Sequence, residues 1–232
     1  MKTYIAIIVF ILLSISTYAQ TVNYDKLTEG DDYLKYLKSR KEPFTGIAVK
    51  YYSGQIQKFI IEYKDGLENG RASFYFEDGK KECTGYYRDG VEDSLWFWYY
   101  PDGKIKTMGS YNAGVAHGYW EYYNSEGVKE RYGFVFEGKE HGKWQYWNVN
   151  GNIITERYYL FGVKDSTEIW YYPSGNPMIQ RSFKKGLEDG LFYGWYENGQ
   201  KQFEGNARQG VVIRYIEWDI NGKALKIQKI ND

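Results

Sequence analysis

The sequence predicts an all-β fold, an elongated antiparallel β-meander of 24-residue hairpin repeats arranged as a single curled sheet. One glycine column recurs every 24 residues at Gly66, Gly90, Gly114, Gly138, Gly162, Gly186 and Gly210. A second column lies inside each unit, where the glycine mostly follows Asp or Asn, dipeptides typical of tight hairpins. The composition, with 26 Tyr, 12 Phe, 8 Trp and 26 Gly but only 4 Pro, also favours strands and turns.

The first 19 residues follow a different pattern. A lysine precedes an apolar run over residues 5–13, and Thr17 and Ala19 suit the −3 and −1 positions of a signal peptidase site. The run is too short to span a bilayer as a helix. We therefore expect residues 1–19 to be a cleaved signal peptide, with Gln20 as the new N-terminus of a periplasmic or extracellular protein.

Residues 20–43 form an N-terminal segment outside the 24-residue register. We expect this segment to cap the array by covering the open edge of the first hairpin, because unpaired strand edges invite pairing with other chains. The repeat array then occupies residues 44–232, as seven full units and a shortened eighth. We expect its last strand in "KALKIQKIND", where lysines discourage edge pairing.

Each unit is predicted to contain two strands joined by a two-residue turn at the second glycine column. That column contains Gly54, Gly79, Gly103, Gly127, Gly151, Gly175, Gly199 and Gly222. Segments such as "GLENG" and "GLEDG" are predicted to be the connections between units. One hairpin cannot bury its own face, so neighbouring units are expected to share a continuous core.

The two histidines, His117 and His141, share one repeat column with Asn and Asp. The other members are Asn69, Asp93, Asp165 and Asp189. Because these residue types tolerate positive φ, we interpret the column as a turn position before the next strand. Adjacent members are then two strands, or about 10 Å, apart, which is too far for both to ligate one zinc ion. We expect no metal site and no cofactor.

An aromatic ladder is predicted on the face opposite the main apolar face, four residues before the hairpin glycines. Its central members are Tyr99, Tyr123, Trp147, Tyr171 and Trp195. One interpretation is that these rings pack on mid-strand glycines, which occur at Gly85, Gly109, Gly133 and Gly205. The other is an exposed platform that binds sugar rings, lipid head groups or an extended peptide.

Two units carry arginine in place of the mid-strand glycine, at Arg157 and Arg181. We interpret them either as a local anion-binding spot beside Tyr171 and Trp147 or as solvated edge residues. With the ladder, they complete the candidate ligand-binding residues.

Composition excludes several function classes. Thirty Lys and Arg balance thirty Asp and Glu, so no overall field attracts nucleic acid. Cys83 is the only cysteine, so no intrachain disulfide can form. The sequence shows no nucleophile with a histidine base, no phosphate-binding loop and no metal-ligand cluster, and we therefore expect no catalytic residues and no enzymatic activity.

The repeat unit is clearest in "GVAHGYWEYYNSEG" and "GKEHGKWQYWNVNG", which lie 24 residues apart. It resembles the MORN repeat, in the variant form carried by many bacterial exported proteins and by a family labelled as toxin–antitoxin antitoxins. "EPFTGIAVKYYSGQIQ" is similar to the way such bacterial arrays begin. The resemblance covers residues 44–232.

The resemblance implies a binding or scaffolding module, with a protein or peptide partner first and a glycan or membrane lipid surface second. The alternative that it implies is an antitoxin-like neutralising protein. An export signal argues against that alternative, because such antitoxins ordinarily meet their toxins in the cytoplasm. Fold resemblance alone identifies neither the partner nor the oligomeric state.

Overall fold

The computed structural model describes residues 20–229, so the predicted signal peptide lies outside the described residues. Within them the chain forms 21 strands and two short 3₁₀ helices, at Tyr24–Lys26 and Ser53–Gln55. The strands are β1 (Thr21–Asn23), β2 (Leu27–Glu29), β3 (Lys35–Leu37), β4 (Gly46–Tyr51), β5 (Gln57–Lys64), β6 (Leu67–Tyr75), β7 (Lys81–Arg88), β8 (Val91–Tyr99), β9 (Ile105–Asn112), β10 (Val115–Ala116), β11 (Gly118–Tyr123), β12 (Lys129–Phe136), β13 (Lys139–Trp147), β14 (Ile153–Leu160), β15 (Val163–Tyr171), β16 (Pro177–Lys184), β17 (Leu187–Glu188), β18 (Gly190–Trp195), β19 (Lys201–Arg208), β20 (Val211–Trp218) and β21 (Ala224–Lys229). Over this range no helix has the length and apolar character needed to cross a membrane.

Nineteen of these strands form one sheet, and β2 and β3 form a separate pair. From β4 onward, strands that follow one another in the chain pair in antiparallel fashion, as eight successive hairpins. Two first strands, β10–β11 and β17–β18, are interrupted by one residue each. No residue register joins β21 to β1 or β4, so the sheet is open over the described residues. The predicted all-β antiparallel meander is confirmed.

The N-terminal segment contributes to both an edge and a core. Strand β1 pairs in parallel with β4, with Val22 beside Ala48. Leu27, Leu37 and Phe44 are buried with Val22 and Ala48 in one hydrophobic cluster. Burying these side chains is the favourable term that holds the segment against the first hairpin.

Turns of two kinds alternate along the array. At the first glycine column two consecutive residues have positive φ, as in Asp65 (49°) and Gly66 (84°), which makes a two-residue type I′ turn. At the second column the loop has three residues, since the Phe76 amide donates to the Lys80 carbonyl at 2.8 Å and the Gly79 amide donates to the Phe76 carbonyl at 2.9 Å. The glycine of this loop supplies the positive φ that a bulged three-residue hairpin requires.

The prediction of two-residue turns at the second glycine column is therefore wrong, because those turns lie at the first column. The segments predicted as connections are also strands. "LENG", for example, is the start of β6.

The first strand of most units contains a bulge, and this corrects the interpretation of the histidine column. Positive φ occurs one residue later, at Gly118 (110°) and Gly142 (68°), not at His117 or His141. The register shifts beside this position, for example between Gly133 and Phe134 of β12 where it pairs with β13. The column of small residues therefore supplies the bulge, and the histidines precede it.

The sheet has two unlike faces. On the face that we call the first face, a ring lies against bare backbone in four units: Trp96 on Gly85, Trp120 on Gly109, Trp144 on Gly133 and Phe192 on Gly205. A Cβ atom at Gly133 would lie 2.2 Å from the Trp144 ring, so only glycine fits there. Packing of rings on glycine thus occurs as proposed, but the rings stand seven residues before the hairpin glycine and not four.

Rings on the first face also contact one another along the array. Adjacent centroids lie 5.7 to 6.5 Å apart through the series Phe74, Trp96, Trp98, Trp120, Tyr122 and Trp144. Such offset aromatic pairs add stabilisation beyond their buried area. This series forms the core of the central units.

Tyrosines tie several neighbouring units together at the three-residue loops. The Tyr100 hydroxyl donates to the Tyr123 carbonyl at 2.8 Å. Equivalent bonds run from Tyr52 to Tyr75, from Tyr172 to Trp195 and from Tyr196 to Trp218. In two central units the same column holds Asn124 and Asn148, whose Oδ1 atoms accept amides of their own loops at 2.9 to 3.1 Å.

Candidate functional site

The aromatic ladder lies on the opposite face, the second face, and its members are half-buried. They are Tyr99, Tyr123, Trp147, Tyr171 and Trp195. Successive members stand on every second strand, about 10 Å apart. The mid-strand glycines carry first-face rings, so the interpretation that the ladder packs on them is wrong. The rings instead present part of their surface to solvent.

Each ladder ring faces a residue of the second strand in its hairpin. These register partners are Ile105 for Tyr99, Lys129 for Tyr123, Ile153 for Trp147, Pro177 for Tyr171 and Lys201 for Trp195. Lysine therefore faces two of the five rings, and an apolar residue faces the other three.

Lys129 occupies the interval between Tyr123 and Trp147. Its Nζ atom lies 5.1 to 5.7 Å from the ring centroids of Tyr123, Tyr132 and Trp147. The Glu121 carboxylate lies 2.8 Å from the same nitrogen. These four residues around Lys129 form what we call the lysine cage, in which ring faces and a carboxylate both favour a cation.

Lys201 has a similar environment near the end of the array. Its Nζ atom lies 5.3 Å from the Tyr193 centroid, 5.9 Å from the Trp218 centroid and 2.8 Å from Glu204. The second face thus holds a lysine between aromatic rings twice, each time with a carboxylate.

An open groove lies in the next interval after the lysine cage. It is a cavity of about 460 Å³ lined by Trp147, Ile153, Glu156, Tyr171 and Pro173, among others. It brings together two residues of the predicted ladder. Ile153 stands at the register position that Lys129 occupies one unit earlier.

Glu156 is the polar centre of the open groove. It accepts hydrogen bonds from Gln145 at 2.8 Å and from the Tyr171 hydroxyl at 3.1 Å, and the Lys143 amine lies 2.7 Å away. Burial alone would raise the pKa of Glu156, but the bonds from Lys143 and Gln145, the charge of Lys143 and the bond from Tyr171 outweigh it and hold the pKa below its usual value. The groove therefore contains an ionised carboxylate at neutral pH.

The tyrosines beside these carboxylates stay protonated. Burial, followed by the hydrogen bond and charge of Glu121, raises the pKa of Tyr123 to about 12. Burial and then the charge of Glu156 raise the pKa of Tyr171 to about 12. Both hydroxyls accordingly donate to their carboxylates near neutral pH.

Arg157 and Arg181 do not join the ladder, because they lie on the first face. Arg157 Nε donates to Glu168 at 2.6 Å, and its guanidinium lies 4.7 Å from the Tyr146 ring centroid. Arg181 pairs with Glu188. The predicted anion-binding spot beside Tyr171 and Trp147 is therefore wrong, since both arginines point away from those rings and already have carboxylate partners.

The histidines lie in an aromatic patch of the second face. The rings of His117 and His141 lie on either side of Phe136, with centroids 5.2 and 5.8 Å from it. Within residues 20–229 no group of three or more His, Cys, Asp or Glu side chains is placed to hold a metal ion. Burial raises the pKa of the Cys83 thiol to about 12, which keeps it protonated.

Sequence reasoning found the ladder but missed three residues that give it charge, namely Lys129, Glu156 and Lys201. A signal for the two lysines exists, because the column two residues after the hairpin glycine contains both lysine and apolar residues. It reads Lys81, Ile105, Lys129, Ile153, Pro177 and Lys201.

Three segments of the chain match the family of the MORN repeat variant, residues 92–113, 164–185 and 188–209. Each segment spans one hairpin, and their starting points are separated by multiples of 24 residues. Repeats of the MORN variant are therefore present at these three positions.

Solved structures share only a weak likeness. The TCP10 domain of Danio rerio CPAP, in complex with a peptide of Danio rerio STIL, is 15% identical with a TM-score of 0.25, over 80% of this chain and 100% of that chain. The Photorhabdus luminescens Tc holotoxin pore is 9% identical with a TM-score of 0.18, over 85% of this chain and 14% of that chain. At these TM-scores neither likeness supports a conclusion about function. No curated protein matches the sequence.

Proposed function

We propose that this protein is a non-enzymatic binding or scaffolding module that recognises a protein or peptide partner through its second face. The observation that supports the proposal is the row of half-buried rings, Tyr99 to Trp195, with charged groups between them. Aromatic rings supply large contact area with few rotatable bonds, so they lose little entropy when a partner binds.

The charged groups of this face favour a protein partner over a flat neutral surface. Glu121, Glu156 and Glu204 each lie within 2.7 to 2.8 Å of a lysine amine, and all three pairs are partly exposed. Such pairs at an interface contribute more to the choice and orientation of a partner than to affinity. A glycan or lipid surface is the second ligand class that the exposed rings can serve.

We also propose a cellular location for the protein. We expect export through residues 1–19, so the partner would be a periplasmic or extracellular molecule. Mass spectrometry of the native protein is expected to find Gln20 at or near the N-terminus, and an intact segment from Met1 in the cytoplasm would contradict export. The antitoxin-like role implied by the resemblance stays a prediction.

The test is capture of partners from an envelope extract, in parallel with glycan and lipid arrays. Wild type is compared with the double variant Trp147→Ala, Tyr171→Ala and with Leu187→Ser, a matched control at an exposed apolar residue on the turn edge. We expect a protein that wild type and the control retain and the double variant loses. Retention by all three proteins would exclude the second face, and signal only on a glycan or lipid array would select the second ligand class.

A further inference from the structure

A comparison of repeat units within the array indicates what the open groove can bind. The interval after Trp147 and the interval after Trp195 share three features: two rings, a carboxylate and one register position between the rings. In the interval after Trp195, which ends at Trp218, that position holds Lys201, as it holds Lys129 in the lysine cage. In the open groove it holds Ile153.

The open groove repeats the surroundings of Lys201. Glu156 lies 48 residues, or two units, before Glu204, as Ile153 lies 48 residues before Lys201. Trp147 and Tyr171 line the groove. The groove therefore presents ring surfaces and a carboxylate, with an uncharged aliphatic side chain where the later interval has an ammonium group.

The Glu156 carboxylate already has one cation partner. Over the described residues, the only amine within ion-pair distance of it is that of Lys143, whose side chain is 42% exposed. Glu204, at the same position two units later, contacts two cations, Lys201 at 2.8 Å and Arg214 at 3.8 Å. A second ammonium group can therefore reach the rings and share the Glu156 carboxylate.

We propose that the open groove binds a lysine side chain of the partner protein, in the way that the interval before Trp218 holds Lys201. This inference rests on the proposed function, since it names the chemistry that the second face recognises. A lysine fits because its long aliphatic stem can pack along Ile153 and Pro173 while its amine meets Glu156 and the rings. The partner is thus expected to present a lysine on a projecting loop or extended segment.

Replacing Ile153 tests the proposal directly. Ile153→Lys supplies the ammonium group from the chain itself, whereas Ile153→Met, the matched control, keeps an uncharged side chain of similar size. The probe is a fluorescent peptide of five lysines, compared with a peptide of five glutamines. We expect wild type and Ile153→Met to bind the lysine peptide alike and Ile153→Lys to bind it at least tenfold more weakly.

A gain-of-site variant supplies the converse test. Lys201→Ile gives the interval before Trp218 the composition of the open groove, and we expect it to bind two lysine peptides where wild type binds one. Thermal melts establish that each variant is folded. Equal binding by Ile153→Lys and wild type, equal binding of the glutamine peptide, or a single site in folded Lys201→Ile would each overturn the proposal.

Partner capture separates this inference from the function on which it rests. If Ile153→Lys retains a partner that the Trp147→Ala, Tyr171→Ala variant loses, the second face is a binding face but the groove does not take a lysine. If both variants lose the partner, both proposals hold. If both retain it, the proposed function fails.

Discussion

Two consecutive units fill the same first-face position in opposite ways. In one, the indole of Trp144 covers Gly133 and is only 1% exposed. In the next, Glu168 replaces the tryptophan and Arg157 replaces the glycine, and the two residues form an ion pair of 2.6 Å in which Glu168 is 4% exposed. Lys164 adds a second cation 2.9 Å from Glu168.

The difference shows that the two facing residues must be considered as a pair, because each determines what its neighbour on the adjacent strand can be. A ring needs bare backbone beneath it, because any Cβ would overlap it. A buried carboxylate needs a cation, because an unpaired charge removed from water is strongly unfavourable. Each member of the pair is therefore acceptable only with its own partner.

The largest loss of stability is expected when the Trp144 ring, which packs on Gly133, is removed. Trp144→Ala should lower the free energy of unfolding by about 3 to 5 kcal/mol, the scale for deleting a buried large aromatic side chain. Trp147→Ala, a half-buried ring on the second face, should cost roughly 1 to 2 kcal/mol from lost apolar contact. Chemical denaturation of the two variants checks the contrast, and equal losses would contradict the assignment of the faces.

The ion-pair unit should fail when only one partner changes. Glu168→Trp leaves Arg157 without its carboxylate and beneath a ring, whereas Glu168→Trp with Arg157→Gly recreates the pair found at Gly133 and Trp144. We expect the single variant to lose about 3 kcal/mol and the double variant to recover at least 1 kcal/mol of it. A double variant that is less stable than the single one would show that the two units are not equivalent.

The same unit should make stability depend on pH. Burial alone would raise the pKa of Glu168, but the bonds and charges of Lys164 and Arg157 outweigh it and hold the pKa below its usual value. Its contribution is therefore complete above the unfolded-state pKa near 4.3 and is lost as the pH falls through the lower folded-state pKa. Glu168→Gln should flatten this part of the profile from pH 5 to pH 2, as measured by thermal melts. An unchanged slope would contradict the ion pair.

Glycines of the first column, at the two-residue turns, give a further comparison. They are required by the backbone conformation, whereas Gly133 is required by the ring that packs on it. Gly138 has φ of 76°, and a Cβ there would meet only Val115, at 3.9 Å. Gly138→Val should cost about 2 kcal/mol from the left-handed backbone alone. Lys139→Ala, next to it and exposed, should change stability by less than about 0.5 kcal/mol. Equal melting temperatures would exclude the turn conformation.

The smallest expected effect is a gain. Ser166 occupies the bulge with φ of 68°, where a glycine stands in most units. Ser166→Gly should raise the free energy of unfolding by about 0.5 kcal/mol, since relief of the left-handed conformation exceeds the entropy cost of glycine. Thr167→Gly, one residue further in the strand, should instead lower it by about 0.5 to 1 kcal/mol. A loss in both variants would contradict the strained bulge.

Much of the fold could be predicted because a 24-residue glycine period leaves few alternatives to repeated hairpins. The assignment of residues to the two faces was only partly correct. Counting back from the hairpin glycine correctly placed Trp144 and Trp147 on opposite faces. The interpretation that the ladder packs on the mid-strand glycines could have been excluded, because pairing across the hairpin already implies that the column of Gly133 lies opposite the column of Trp144. The same rule places Arg157 on the first face, so the sequence contained this information.

The contacts of the charged residues in the candidate site could not be predicted from the sequence, for a different reason. Lys129 touches rings of two units, and which rings it reaches depends on the stagger between hairpins and on the bulges near Gly118 and Gly142. A column of lysine and isoleucine shows that the intervals differ. It does not show that one interval is filled by the chain and another forms a groove.

The tyrosine ties at the loops give the array an uneven mechanical character. Stability in a repeat protein is a sum of unit terms and nearest-neighbour terms, so a missing tie weakens only its own junction. Where Asn124 and Asn148 replace tyrosine, each loop bonds to itself and not to the next unit. These junctions flank the lysine cage and adjoin the open groove, so the tyrosine tie is missing on both sides of Trp147. A partner that engages Trp147 would therefore bridge two junctions that no tyrosine ties.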